Sequence, residues 1–241
     1  ANGTVLPSAS QTQVRIVLGT VPLSGVVTIF AAAGQTSSSQ AFTYISPPKI
    51  DSLSPRVGGN GTVLTVLGKN FIQIDSVRFG TVRLQSLVVN STSALTVTMP
   101  AGLPNSTNAI IVFARAGRDT SKTPHLFQYV QPPQITAFTS AAGSGAWVQI
   151  TGANLVNVSS VLFGGVAADS IRNISSVLTL ARVGAGASGK ISLSAAGGTA
   201  QSMQDFRFLR PPTITGFTPS SGATGASIEI TGTEFVNVTG V

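Results

Sequence analysis

Val148-Gln149-Ile150-Thr151-Gly152 decides the fold, because the chain writes it three times. Leu64-Thr65-Val66-Leu67-Gly68 precedes it and Ile228-Glu229-Ile230-Thr231-Gly232 follows it. Apolar and polar side chains alternate in each copy. Leu64/Val66, Val148/Ile150 and Ile228/Ile230 therefore fall on one face of a strand, and Thr65, Gln149 and Glu229 on the other. That alternation predicts a strand buried on one side, with these six apolar residues in cores.

Working outward, the same neighbours return around each copy. Downstream stand Asn70-Phe71, Asn154-Leu155 and Glu234-Phe235, followed by Val77-Arg78-Phe79-Gly80 and Val161-Leu162-Phe163-Gly164. Phe79 and Phe163 join the predicted core. Upstream lies a glycine turn, preceded by Ser54-Pro55 and Thr218-Pro219, with Thr139-Ser140 departing at the proline. Each unit opens on Pro-Pro: Pro47-Pro48-Lys49-Ile50, Pro132-Pro133-Gln134-Ile135 and Pro211-Pro212-Thr213-Ile214, 85 and then 79 residues apart. Just before each opening is a strand with aromatics: Phe42 and Tyr44, Phe127 and Tyr129, Phe206 and Phe208. No sustained 3.6-residue apolar stripe occurs. Short strands and frequent turns in units of about 80 residues predict an all-β chain of tandem immunoglobulin-like β-sandwiches. The expected modules are 47–131 and 132–210. Residues 1–46 are the later part of an incomplete module and 211–241 the earlier part of another. Proline fixes φ and lacks an N–H, so Pro-Pro joints should be short and stiff.

This order, Pro-Pro-x-Ile, Gly-rich turn, a strand closed by Gly-x-Asn-Phe, then Val-x-Phe-Gly, resembles the IPT/TIG family of immunoglobulin-like modules. The resemblance implies the fold. It leaves function open, since such modules occur in receptor ectodomains, bacterial surface proteins, carbohydrate-active enzymes and some transcription factors.

Composition narrows the function. Of 241 residues only 9% are charged, against a usual share of about 25%. There is no cysteine, which removes disulfides, thiolate metal sites and cysteine nucleophiles. The single histidine, His125, has no cysteine or repeat counterpart beside it, and the seven acids form neither close pairs nor a metal-loop pattern. No phosphate loop, dinucleotide fingerprint or nucleophile elbow is present. These absences predict a protein that is not an enzyme and takes no cofactor. No apolar run approaches a membrane span, so no membrane insertion is expected. The formal charge is +7, with eight of the fourteen basic residues between Lys49 and Lys122. They stand singly, without runs or interleaved aromatics. They are read as solvating a surface poor in other charges, with no nucleic-acid partner.

The positive signal is Asn-x-Ser/Thr, the N-glycosylation acceptor. Seven of the ten asparagines open it: Asn2, Asn60, Asn90, Asn105, Asn157, Asn173 and Asn237. Asn90 matches Asn173 in the repeat and Asn157 matches Asn237. Covalent N-glycans would supply the solubility that the few charges do not, and they place the chain outside the cell or on its surface. Trp147, the one tryptophan, is expected to point away from its module's core. It is a candidate for covering a joint or contacting a partner.

Joining the chain's end to its start gives Val241-Ala1-Asn2-Gly3-Thr4-Val5, in register with Val77-Arg78-Phe79-Gly80-Thr81-Val82. Residues 211–241 and 1–46 total 77, one repeat. The expectation is a head-to-tail homopolymer or a longer covalent array, with Ile228–Ile230 and Val26–Phe30 sharing one sandwich across the boundary. Asn2 falls where Phe79 should point inward, which conflicts with a glycan there. The leading expectation is an extracellular structural filament or stalk. The alternative is a binding module of an adhesin or receptor ectodomain that recognises protein or carbohydrate.

Overall fold

The computed structural model describes residues 4–5, 12–17, 23–236 and 238–240, and among them every regular element is a strand. The first are β1 (Thr4–Val5), β2 (Ile16–Val17), β3 (Gly25–Ala31) and β4 (Gly34–Phe42). Next come β5 (Lys49–Ser54), β6 (Val57–Gly58), β7 (Val63–Lys69), β8 (Ile74–Phe79), β9 (Val82–Arg83) and β10 (Gln85–Ser91). They lead to β11 (Ala94–Thr98), β12 (Ser106–Asn108), β13 (Ile110–Ala114), β14 (Gly117–Thr120) and β15 (Phe127–Tyr129). The second repeat holds β16 (Gln134–Phe138), β17 (Ala141–Gly143), β18 (Trp147–Ala153), β19 (Ser160–Phe163) and β20 (Val166–Ala167). It continues through β21 (Ser170–Ser175), β22 (Leu178–Arg182), β23 (Gly189–Ala195) and β24 (Gly198–Leu209). The last strands are β25 (Thr213–Thr218) and β26 (Glu229–Thr233).

The chain divides into two compact units. One comprises Ala1–Ser54, Val63–Thr98 and Ala109–Leu126; the other comprises Pro55–Thr62, Met99–Asn108 and Phe127–Val241. In the first, one four-stranded sheet runs β10-β11-β7-β5 and another β14-β13-β8-β9. They meet where β14 reaches β5 and β10 reaches β8. Leu64, Val66, Leu95 and Val97 are buried from the first sheet, and Val77, Phe79, Ile110 and Val112 from the second. The two-stranded pair β3-β4 also belongs to this unit.

In the second unit β6, β15 and β12 form a small sheet, with β15 and β6 parallel. The second repeat is a two-layer sandwich of β16-β18-β22-β21 and β17-β24-β23-β19-β20. Its core gathers Val148, Ile150, Leu155, Val161, Phe163, Ile191, Leu193 and Phe206. Phe163 and Phe206 pack with ring centroids 4.8 Å apart. The pair β25-β26 completes this unit's strands.

Why the strand motif closes on glycine is visible in all three copies. A Cβ on Gly68, Gly152 or Gly232 would overlap the backbone carbonyl of Lys49, Gln134 or Thr213. The close approach sits beside an irregularity that also recurs, between Ile50 and Ser52, Ile135 and Ala137, and Ile214 and Gly216. Just beyond, the chain turns through a left-handed residue: Asn70 (φ 59°), Asn154 (φ 57°) and Glu234 (φ 59°). Asparagine tolerates that conformation because its short amide can bond locally. Asn70 Nδ2 donates to Pro47 O at 3.1 Å and Asn154 Nδ2 to Pro132 O at 3.0 Å.

The core positions read from alternation hold in the two complete repeats, where Leu64, Val66, Phe79, Val148, Ile150 and Phe163 are all buried. The third copy departs from the expectation. Ile228 is exposed and Ile230 only half-buried. Alternation puts them on the correct face, but burial needs neighbouring strands. β7 is flanked by β5 and β11 and β18 by β16 and β22, while β26 pairs with β25 alone.

Candidate functional site

The two hairpins β25-β26 and β3-β4 are built like parts of a complete repeat. In β25-β26 the pairs Ile214↔Gly232, Phe217↔Ile230 and Thr218↔Glu229 repeat the register of Ile135↔Gly152 and Phe138↔Ile150. In β3-β4 the pairs Gly25↔Phe42, Thr28↔Ser37 and Ala31↔Gly34 repeat Gly189↔Phe206, Ser192↔Gln201 and Ala195↔Gly198. Side-chain hydrogen bonds are copied too. Val27 N donates to Ser38 Oγ and Ser38 Oγ to Gln40 O, as Ile191 N donates to Ser202 Oγ and Ser202 Oγ to Gln204 O. Tyr44 N donates to Ser24 Oγ as Phe208 N does to Ser188 Oγ.

What differs is cover. Ile29 is 46% exposed where its counterpart Leu193 is 2%, and Phe42 is 42% where Phe206 is 0%. Ile228 is 58% exposed where Val148 is 0%. Each hairpin thus presents an apolar face that the complete repeats bury. Among the described residues no further strand pairs with either hairpin. Residues Ala1 and Val241, on which the expected seam turns, lie outside the described residues, as do Asn2 and Asn237.

Of the other sequons, Asn60, Asn90, Asn105, Asn157 and Asn173 are all exposed. Two already have work for their amides. Asn173 Nδ2 donates to Val158 O at 3.0 Å. Asn105 Nδ2 donates to Asn154 Oδ1 at 2.7 Å, and Asn105 Oδ1 accepts from Gln131 N at 2.7 Å. Asn105 and Asn154 therefore pin the Val130-Gln131-Pro132 linker from both sides. Gly59 and Gly197 let the linker approach closely, since a Cβ on either would overlap the carbonyl of Val130 or Gln131. Sequence reading missed this joint, because its partners lie up to 49 residues apart. Trp147 is half-buried, with the Arg172 guanidinium over its ring at 4.5 Å. Among the described residues no three of His, Asp and Glu gather to hold a metal. Among the described residues no helix is long and apolar enough to cross a membrane.

The family model for the IPT/TIG domain matches residues 48–129 and again 133–208. The chain belongs to the IPT/TIG family. That membership accounts for the immunoglobulin-like layers and for the tandem repeat. No curated protein matches the sequence. Among solved structures, the IPT/TIG chain is similar to SGBP-B from a xyloglucan utilization locus of Bacteroides uniformis. Identity is 20%, over 66% of this chain and 49% of that one, with a TM-score of 0.33. It is also similar to the plexin A4 extracellular region (18% identity, 71% and 16% coverage, TM-score 0.45). A third is SGBP-B of Bacteroides ovatus in complex with a mixed-linkage heptasaccharide (15% identity, 86% and 54% coverage, TM-score 0.34). The chain spans about half the length of the two surface glycan-binding proteins.

Proposed function

We propose that this IPT/TIG chain is a structural, non-catalytic element of the cell exterior that extends head-to-tail through a shared module. One observation carries the reading: both hairpins copy the register of a complete repeat while leaving exposed the residues that the complete repeats bury. The occupant of each face is a hairpin of the other kind, from a second copy or from the adjoining repeat of a longer covalent array, because the two supply different strands of one sandwich. Val27, Ile29, Phe42, Phe217, Ile228 and Phe235 are exposed across the two hairpins. Covering six such side chains contributes on the order of 10 kcal/mol. That magnitude is comparable with the 4–15 kcal/mol that association costs, so main-chain ladder bonds and the repeat's own register complete the case. Two-stranded hairpins are also marginal in water by themselves, which favours their being covered. Within the second unit, Asn105 and Asn154 hold the linker at Gln131 and Pro132.

The test uses two variants, Ile29→Asp and Ile228→Asp, each spoiling one hairpin. Sedimentation and electron microscopy should show linear oligomers for the unaltered chain and monomers for the double variant. An equimolar mixture of the single variants should stop at dimers, since each retains one working face. A chain that stays monomeric at every concentration, or single variants that polymerise as well as the parent, would falsify the proposal. The same reading assigns N-glycans first to Asn60, Asn90 and Asn157, whose amides no described side chain or carbonyl engages. Glycopeptide mass spectrometry on material secreted from a eukaryotic host tests it, and three bare asparagines would remove the glycan shield from the argument.

A further inference from the structure

The basic residues that stand singly in the sequence do not stay apart in the fold. The first unit carries eight arginines and lysines against three aspartates. Three of those arginines are brought to the outer face of β9-β8-β13-β14. Arg83 and Arg78 are directly opposed across β9 and β8, and Arg118 is opposed to Phe113 across β14 and β13. All three are exposed. The guanidiniums of Arg78 and Arg118 lie over the Phe113 ring, at 5.2 and 5.9 Å from its centroid, reaching in from the strands on either side. Arg83 Nη2 donates to the backbone carbonyl of Asp75 at 3.2 Å. Of the unit's three acids, Asp119 accepts from Ile50 N at 2.7 Å and Asp51 pairs with Lys49, while Asp75 borders Arg83 at the edge of the cluster.

The second repeat provides the internal control. Its residues at the same register are Leu162 for Arg78, Ala167 for Arg83, Ser194 for Phe113 and Thr199 for Arg118. The fold therefore does not require the cluster. Like charges placed directly opposite on adjacent strands are destabilising, a cost that the second repeat, with Leu162 opposite Ala167, does not carry. Strand spacing sets the geometry: Arg83 and Arg78 emerge about 5 Å apart, and Arg118, two strands across and two residues along, about 12 Å from Arg78. Stacking on Phe113 restrains two of the guanidiniums and leaves their N–H edges free for bidentate oxyanion contacts.

We infer that this face binds an anionic polysaccharide, a sugar polymer carrying sulfate or carboxylate groups along its length. The face is an open sheet, bordered at Arg83 by a wide-mouthed cavity of about 430 Å³ that Asp75 and Ser76 also line, and such an open surface suits an extended polymer with regularly spaced charge. A nucleic acid fits less well. Non-specific single-strand binding uses free aromatic faces for base stacking, and Phe113, the face's aromatic, is already stacked upon.

The experiment measures retention of the full chain by heparin, by polygalacturonate and by a single-stranded oligonucleotide at matched charge and salt, with dextran as the uncharged reference. The key variant carries Arg78→Leu, Arg83→Ala and Arg118→Thr, the residues the second repeat already accommodates. A distal variant of equal charge carries Lys69→Ser, Arg207→Ser and Arg210→Ser. Heparin or polygalacturonate should bind the parent and the distal variant, and the key variant roughly a hundredfold more weakly. Which of the two polymers binds more tightly identifies sulfate or carboxylate as the group recognised. As a gain-of-function arm, Leu162→Arg, Ala167→Arg, Ser194→Phe and Thr199→Arg should strengthen binding. Equal weakening in the key and distal variants would show bulk charge rather than a site and overturn the assignment. Tighter binding of the oligonucleotide than of either polysaccharide would overturn the ligand class, as would no retention by either polysaccharide at low salt.

Discussion

Phe206 and Phe42 occupy the same register of the same kind of strand, each opposite a glycine, Gly189 and Gly25. Their hairpins share an irregularity at the same step and the same serine-centred hydrogen bonds, through Ser202 and Ser38. One ring is fully buried against Phe163; the other is 42% exposed. The comparison separates two contributions that sequence patterning tends to merge. Local sequence and the ladder set a hairpin's register and its polar contacts. Burial is supplied by other strands, and it is burial that provides most of the stabilisation.

The strongest way to break this comparison is to truncate both rings. Phe206→Ala should cost about 3–5 kcal/mol, because it opens a cavity beside Phe163 in a closed core. Phe42→Ala in the monomeric chain should stay within about 0.5 kcal/mol, as for an exposed position. Chemical denaturation followed by far-ultraviolet circular dichroism reads both. Equal losses would mean that the β3-β4 face is covered in the isolated chain, and the docking reading would fail with it.

The glycine pair sharpens the same contrast with a smaller effect. Gly152→Ala should destabilise by about 1–3 kcal/mol, since the new Cβ meets the Gln134 carbonyl where β18 is held from both sides. Gly232→Ala meets the Thr213 carbonyl, but β26 is held only by β25 and can give way. Its cost to global unfolding should be a small fraction of the first. Thermal unfolding of the two variants checks this, and a larger drop for Gly232→Ala would reverse the assignment of which hairpin is supported.

How much of this could be read from the chain follows from how far each feature reaches. The alternating strands, their closing glycines and the Pro-Pro frames are local patterns, and the core residues of both complete repeats follow from them. Exposure of Ile228 was not legible, because alternation marks a face without saying whether anything covers it. The linker pin at Asn105 and Asn154 hid behind a sequon, which gave Asn105 a different and competing reading. Arg78, Arg83 and Arg118 lie singly in the sequence, and only cross-strand register assembles them around Phe113. The final aromatic strand is one continuous element in β24 but two, β14 and β15, in the first repeat. Between those two lies Pro124, whose missing N–H interrupts a ladder.

The smallest expected effect concerns Glu234, which stands where the complete repeats place Asn70 and Asn154. All three adopt nearly the same left-handed φ, from 57° to 59°. Asparagine fits the position twice over. It tolerates the conformation, and its amide donates to the carbonyl of the first proline of each Pro-Pro, at Pro47 and Pro132. Ionised glutamate offers acceptors only, so it cannot make the corresponding bond to Pro211 O, and its longer side chain is poorly suited to positive φ. Glu234→Asn should therefore steady the β25-β26 hairpin by about 0.5–1 kcal/mol, within the range of a single neutral hydrogen bond. Global unfolding, dominated by the closed sandwiches, should not register it. Hydrogen exchange should, as a several-fold slowing at the amides that bond β25 to β26 with no change at Ile150. The variant should also assemble head-to-tail at lower concentration, because a hairpin already held in the register of a complete repeat has less to order when a second copy covers it. If exchange at β25-β26 is unchanged or faster, the shared φ at the three positions is a coincidence of turn geometry rather than a common design. The third copy would then differ from the complete repeats in more than its missing cover.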